Sequence, residues 1–163
     1  MLTFERVYRT YAPDVFRFAL WMTCDPAQAD DITSETFVRA WTRREKIRTE
    51  TLKAYLLAIA RNFHLEQQRK EIRRRELPGN MPDPAPGPDR LAQARAELER
   101  LRSRLATLPE SEAAALILRT EQGLPYEEVA LILQIPLASA RVKVHRARKK
   151  ILQILENKEE SRS

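Results

Sequence analysis

The chain has 163 residues, with 29 Lys and Arg against 23 Asp and Glu, for a formal net charge of +6. That length suits one ordinary domain or two small ones. The charge favours a polyanionic partner but says nothing of fold. A single cysteine, Cys24, excludes a disulfide framework and a cysteine-built zinc site, and reads as a small buried or half-buried apolar residue. His64 and His145 stand far apart, so neither a metal site nor a cofactor is expected.

The N-terminal "MLTFERVYRTYAPD" is charged throughout and holds no apolar stretch of signal-peptide length. "FERVYRTY" places Phe4, Val7, Tyr8 and Tyr11 at helical spacing. Pro13 then predicts a second helical segment, with Val15, Phe16, Ala19, Leu20 and Met22 inward. In "CDPAQADDITSETFVRAW", Asp25 is a good N-cap and Pro26 fits the first helical position. Ile32, Phe37, Val38 and Trp41 supply its apolar positions. A polar break, "RREKIRTET", leads into "LKAYLLAIARNFHLEQQRKEIRRRE", apolar in its first half and cationic in its second.

Five of the ten prolines and two of the three glycines fall between Pro78 and Pro88. Proline removes a backbone donor and clashes with the preceding turn, so no helix crosses this stretch. It reads as a linker over residues 77–90, able to hold two small domains roughly 30 Å apart in the polyproline conformation. Beyond it, "LAQARAELERLRSRLATL" carries an apolar stripe of Leu91, Leu98, Leu101, Leu105 and Leu108. "PESEAAALILRTEQG" starts at Pro109 and stops at Gly123. No strand-like alternation of useful length occurs. The expected fold is all-α, with two small helical bundles at 1–76 and 91–157 and a short tail at 158–163. No apolar run approaches the ~20 residues needed to cross a bilayer, so a cytoplasmic protein without membrane insertion is expected.

"LPYEEVALILQIPLASARVKVHRARKK" reads as a helix-turn-helix. The corner carries Gln134 where such turns often carry glycine. After Pro136, Leu137, Ala140, Val144, Ala147, Ile151 and Leu155 form a stripe to be buried. The other face carries Ser139, Arg141, Lys143, His145, Arg146, Arg148, Lys149 and Lys150, with no acidic residue from Arg141 to Lys150. A recognition helix needs this division, one stripe on the bundle and the other in the major groove. Arg141, near its start, is the candidate for bidentate bonding to guanine, and Arg146, Arg148, Lys149 and Lys150 suit phosphates. The competing reading is a solvated basic face.

Three stretches together resemble the group 4, or ECF (extracytoplasmic function), sigma factors of bacterial RNA polymerase. "YAPDVFRFALWMTCDPAQADDITSETFVRAW" is similar to sigma regions 2.1 to 2.2 and "LKAYLLAIARNFHLEQQRKEIRRR" to regions 2.3 and 2.4. "LPESEAAALILRTEQGLPYEEVALILQIPLASARVKVHRARKKI" is similar to region 4. The likeness covers nearly the whole chain outside the linker and tail. It implies a transcription factor that is not an enzyme. Its implied partners are the RNA polymerase core (the β′ clamp helices and the β subunit), promoter DNA and an anti-sigma factor. It implies that Asp31, Ser34 and Glu35 face the clamp helices, with Thr33 and Arg39 nearby. Ser34 stands where the family often has glutamine.

For the −10 element the resemblance implies Arg48, Thr49, Glu50, Thr51 and Lys53 around a base flipped from the non-template strand. Arg61, Asn62, Gln68 and Arg69 would meet the strand or the upstream duplex. Tyr55, in a position that is frequently tryptophan, reads with Leu56, Ile59 and Phe63 as core. For the −35 element it implies Ser139, Arg141, Val142, Lys143, His145, Arg146 and Lys149. Val142 replaces a small polar residue common there. With the chain ending soon after this helix, no added C-terminal sensor domain is expected. Two other readings compete: a stand-alone helix-turn-helix regulator acting as a dimer, and a helical RNA- or protein-binding module.

Overall fold

A computed structural model describes residues 3–46, 51–76 and 89–162. Among them are seven α-helices and no strand. Helices α1 (Phe4–Thr23), α2 (Pro26–Thr42) and α3 (Leu52–Arg75) pack on one another. Helix α4 (Asp89–Leu105) precedes α5 (Glu110–Thr120), α6 (Tyr126–Leu133) and α7 (Leu137–Arg162), and the last three form a second packed group.

The caps follow from the sequence. The Thr3 hydroxyl accepts from the Arg6 amide at 3.2 Å and starts α1. Asp25 Oδ1 accepts from the Ala27 amide at 3.0 Å, with Pro26 in the first turn of α2. Helix α1 runs unbroken through Pro13, where two segments were expected. Pro13 denies a partner to the carbonyl one turn back, at Arg9, and both residues are exposed, on the side of the helix open to solvent. Cys24, half-buried, ends α1 in the left-handed region at φ 53°, and its amide donates to Leu20 O at 2.7 Å.

The apolar pattern is buried largely where the periodicity puts it. Val15, Ala19, Ile32, Phe37, Leu56 and Ile59 are in the core, and Phe18, outside the expected set, is fully buried with them. Val38 departs from the pattern: it is 58% exposed on the outer face of α2. In α7 only Ala140, Val144 and Ala147 of the expected stripe are fully enclosed, while Leu137 and Leu155 lie at the surface. The helix extends past the elements that cover it, continuing to Arg162 through most of the expected tail. Its last turns, "ENKEESR", are mainly residues that propagate a helix at little cost. Of the leucine stripe before α5, Leu108 is buried and Leu105 half-buried; Leu91, Leu98 and Leu101 have no described side chains. Helix α4 opens at Asp89, so residues 89–90 are helical rather than linker. Residues 77–88, the rest of the proline-rich stretch, lie outside the described residues.

The two groups of helices are packed together. Helix α3 lies against α6 and α1 against α5, and one buried cluster runs from Val15, Leu56 and Leu57 to Leu118, Val129 and Val144. The groups are therefore packed within the reach of about 30 Å that an extended linker would allow. Apolar surface on α3, α5 and α6 is removed from water by the contact, which an extended arrangement would leave exposed.

Candidate functional site

Helix α2 presents Asp31 and Ser34 exposed to solvent, with no side-chain partner. They share the outer face with Val38 and, half-buried, Glu35. Glu35 is already engaged, since Arg39 Nε donates to its Oε1 at 3.0 Å. The same guanidinium reaches across to α3, where Nη1 and Nη2 donate to Glu66 at 3.3 and 3.1 Å. It also lies 4.9 Å from the centre of the Phe63 ring. Hydrogen bonding to Arg39 holds the Glu66 carboxyl below its ordinary value, and Glu66, then Glu35, hold the guanidinium above its own. Arg39 is thus a tether between α2 and α3 rather than a free surface cation.

Arg48, Thr49 and Glu50 lie outside the described residues. Arg44 and Leu52, either side of that segment, border a mostly apolar recess whose wall includes Phe4, Phe37 and Trp41. Phe4 meets Trp41 edge-on with centroids 5.4 Å apart. Thr51 caps nothing through its side chain. Asn62, Gln68 and Arg69 are exposed along α3.

Lys53 and Arg61 face the second group of helices. Arg61 Nε and Nη2 donate to the two oxygens of Glu110 at 2.9 and 2.7 Å, a bidentate pair that leaves the Arg61 side chain 13% exposed. Lys53 Nζ donates to Gln122 O at 3.2 Å and lies 3.8 Å from Asp14 Oδ2. Arg17, not singled out from sequence, pairs with Asp14 and donates to Glu121 Oε1 at 2.9 Å. Gln122, 6% exposed, donates through Nε2 to Asp14 O at 2.9 Å, while its buried Oε1 has no partner. Sequence could not reveal this seam, because its partners are 49 to 108 positions apart.

Beside Arg61 and Glu110, His64 is 6% exposed. Burial lowers its pKa from 6.5; Glu110 opposes that shift and Arg61 adds to it.

In the helix-turn-helix, Gln134 takes the left-handed conformation at φ 56°, and Ile135 N donates to Ala130 O at 3.1 Å to close the corner. Along α7, Arg141, Val142, His145, Arg146 and Lys149 are exposed and Ser139 is half-buried. Val142 is 45% exposed, an apolar group on a basic face. Two of the cations are held by α5. Lys143 Nζ donates to Ser111 Oγ at 2.9 Å, and Lys150 Nζ to Oε2 of the buried Glu112 at 2.8 Å. Lys150 is thus committed to neutralising a carboxylate inside the fold. Arg141 lies over the Tyr126 ring, 5.7 Å from its centre.

The molecule therefore offers one helix with a free acidic face, a second with cations and amides, and a third with a basic face behind a tight corner. Among the described residues no helix is long and apolar enough to cross a membrane, and no cluster of metal-ligating side chains is found. Residues 7–74 match Sigma-70 region 2, and residues 98–151 match Sigma-70 region 4. The ECF RNA polymerase sigma factor SigC of Mycobacterium tuberculosis is 33% identical over 157 residues, covering 91% of this chain and 80% of that protein. SigM of Bacillus subtilis is 28% identical over 155 residues, 92% of this chain and 93% of that one. The match to SigE of Mycolicibacterium smegmatis, 28% identical over 156 residues, covers 93% of this chain but only 61% of that protein's length. Among solved structures, the sigma factor RpoE in complex with the anti-sigma factor NepR from Bartonella quintana has a TM-score of 0.77 at 25% identity, over 94% of this chain and 96% of that one. CnrH, solved with the cytosolic domain of CnrY, shares the fold at TM-score 0.72 and 21% identity, over 94% of this chain and 88% of that one. Two sigma regions in the right order and relatives that match along almost the full chain place it in one group: it belongs to the ECF sigma factors of RNA polymerase.

Proposed function

We propose that this chain binds core RNA polymerase and directs promoter-specific initiation, reading −10 with residues 1–76 and −35 with residues 89–157, joined by a linker over 77–88. The observation that carries the reading is the presence, in one chain, of both matched sigma regions. The stand-alone dimeric regulator finds no support in a chain that matches both. As an initiation factor it supplies no catalytic group of its own; polymerase performs the chemistry. Its place of action is then the cytoplasm.

Asp31 and Ser34 lead the contact with the β′ clamp helices, where a free carboxylate pairs with cations of a coiled partner. Glu35 contributes while still held by Arg39, and the β subunit is met elsewhere on the molecule. For −10, Arg48, Thr49, Thr51 and Lys53 surround a base taken out of the stack, and the aromatic-walled recess bordered by Arg44 and Leu52 supports this, since extrusion is offset by stacking and edge contacts. Arg61, Asn62, Gln68 and Arg69 follow the strand. For −35, Arg141 meets a base edge and Val142 a thymine methyl. Ser139, Lys143, His145, Arg146 and Lys149 complete the surface, with Lys143 leaving Ser111 to reach DNA.

Since Arg61 and Lys53 are bonded to the second helical group, capture of the −10 strand requires that group to move away. A regulatory anti-sigma protein would act by stabilising the packed form or by covering the α2 face. The test adds the purified chain to core polymerase and maps transcription starts across genomic fragments. Promoter-specific initiation that depends on the chain is expected; a folded chain that adds none would overturn the reading. Arg141→Ala should reduce dependence on −35 sequence and leave core binding intact, and loss of core binding instead would reverse the assignment of roles.

A further inference from the structure

Tyr126 opens α6 and faces two guanidinium groups. Arg119 Cζ lies 4.4 Å from its ring centre and Arg141 Cζ 5.7 Å. Arg119 is fixed in turn, because its Nη1 donates to Leu124 O at 3.0 Å across the turn between α5 and α6. Arg141 is exposed, and its one described side-chain contact is the ring. Its donors are therefore free while its position is held by an interaction that uses none of them. A guanidinium attracted to an aromatic face keeps its planar fork available for a bidentate acceptor.

We infer that Tyr126 is a positioning residue for promoter readout. Its ring, braced by Arg119, pre-sets Arg141 so that both donor edges reach a guanine O6 and N7 without losing rotamer freedom on binding. This deepens the reading of Arg141 proposed above and rests on it. The ring and not the hydroxyl does the work, so Tyr126→Phe should behave like the parent chain.

The test uses holoenzyme made with the full chain and a library of duplex promoters randomised across the −35 element, with transcripts counted by sequencing. The parent chain should favour guanine at one position, and Arg141→Ala should flatten that preference. Tyr126→Leu should reduce it roughly threefold, the worth of an exposed cation–π contact, with Tyr126→Phe near the parent value. In the Arg141→Ala background, Tyr126→Leu should have no further effect at that position. Core binding and thermal melting are measured on each variant, since a merely structural role would lower total activity evenly across the library. Should Tyr126→Leu melt early, Tyr126→Met fills similar space without an aromatic face and carries the same expectation. A preference unchanged by either substitution, or lost equally in Tyr126→Phe, overturns the inference while leaving Arg141 as reader. A profile indifferent to Arg141→Ala removes the reader, and the inference falls with it.

Discussion

Single side chains divide into free and committed groups, and that division sets their expected effects. Asp31 is exposed and unpaired, whereas Glu35 is held by Arg39. Asp31→Ala should therefore weaken core-polymerase binding more than Glu35→Ala, as read by competition against a labelled parent chain. The reverse order would move the centre of the contact toward Glu35 and Val38. His64 gives a prediction in pH. Burial lowers its pKa from 6.5, so the unfolded chain takes up the proton first. Its contribution to stability is present above pH 6.5 and shrinks as pH falls through the window between that value and the lower folded one. Urea melts at stepped pH should show stability declining below about 6.5, and His64→Gln should flatten that slope; an unchanged slope would assign the decline to carboxylates. Burial also raises the Cys24 thiol, which keeps it protonated and poorly reactive. The residue types at these places were legible in sequence, but their commitments were not. The exposed faces of Asp31, Arg141 and Arg146 follow from helical spacing. That Lys150 neutralises Glu112, or that Arg39 ties α2 to α3, depends on which helices become neighbours.

Elements were the most legible level. The Asp25 cap located α2, prolines located α6 and the start of α7, and apolar spacing located α3, because these signals act within a few residues of one another. Pro13 misled, since a proline on an exposed helix face can be passed without ending the helix. The far end of α7 misled in the opposite way, because polar helix formers continue a helix that has nothing left to pack on. The corner at Gln134 carries an element-scale prediction. A non-glycine residue at φ 56° bears strain that glycine lacks. Relief of that strain, about 1–2 kcal/mol, less the added chain entropy of glycine, about 0.5–1 kcal/mol, means that Gln134→Gly should raise stability modestly, measured by thermal melting, and leave transcription intact. A fall in melting temperature would mean that the Gln134 side chain supports the corner.

For the molecule as a whole, the packing of the two helical groups was the least legible feature, since a proline-rich connection states a reach and not a distance. Beside its apolar cluster, the seam carries charged pairs: Arg61 with Glu110, and Arg17, itself paired with Asp14, with Glu121. Screening weakens such pairs, and the unpartnered Oε1 of Gln122 adds a desolvation cost that separation would relieve. Replacing both Glu110 and Glu121 with Gln should therefore expand the free protein, seen as a larger radius of gyration in solution scattering at low salt. The same variant should bind −10 single strand more tightly; an unchanged radius would mean that the apolar part of the contact suffices. Closure also rescales apparent affinity. A protein that binds only when separated shows its intrinsic affinity multiplied by its open fraction, so one per cent open means about a hundredfold weaker binding. Substitutions at Glu110, Glu121 or Gln122 can then set the concentration at which this sigma factor competes for polymerase and promoters, although none of the three need touch either.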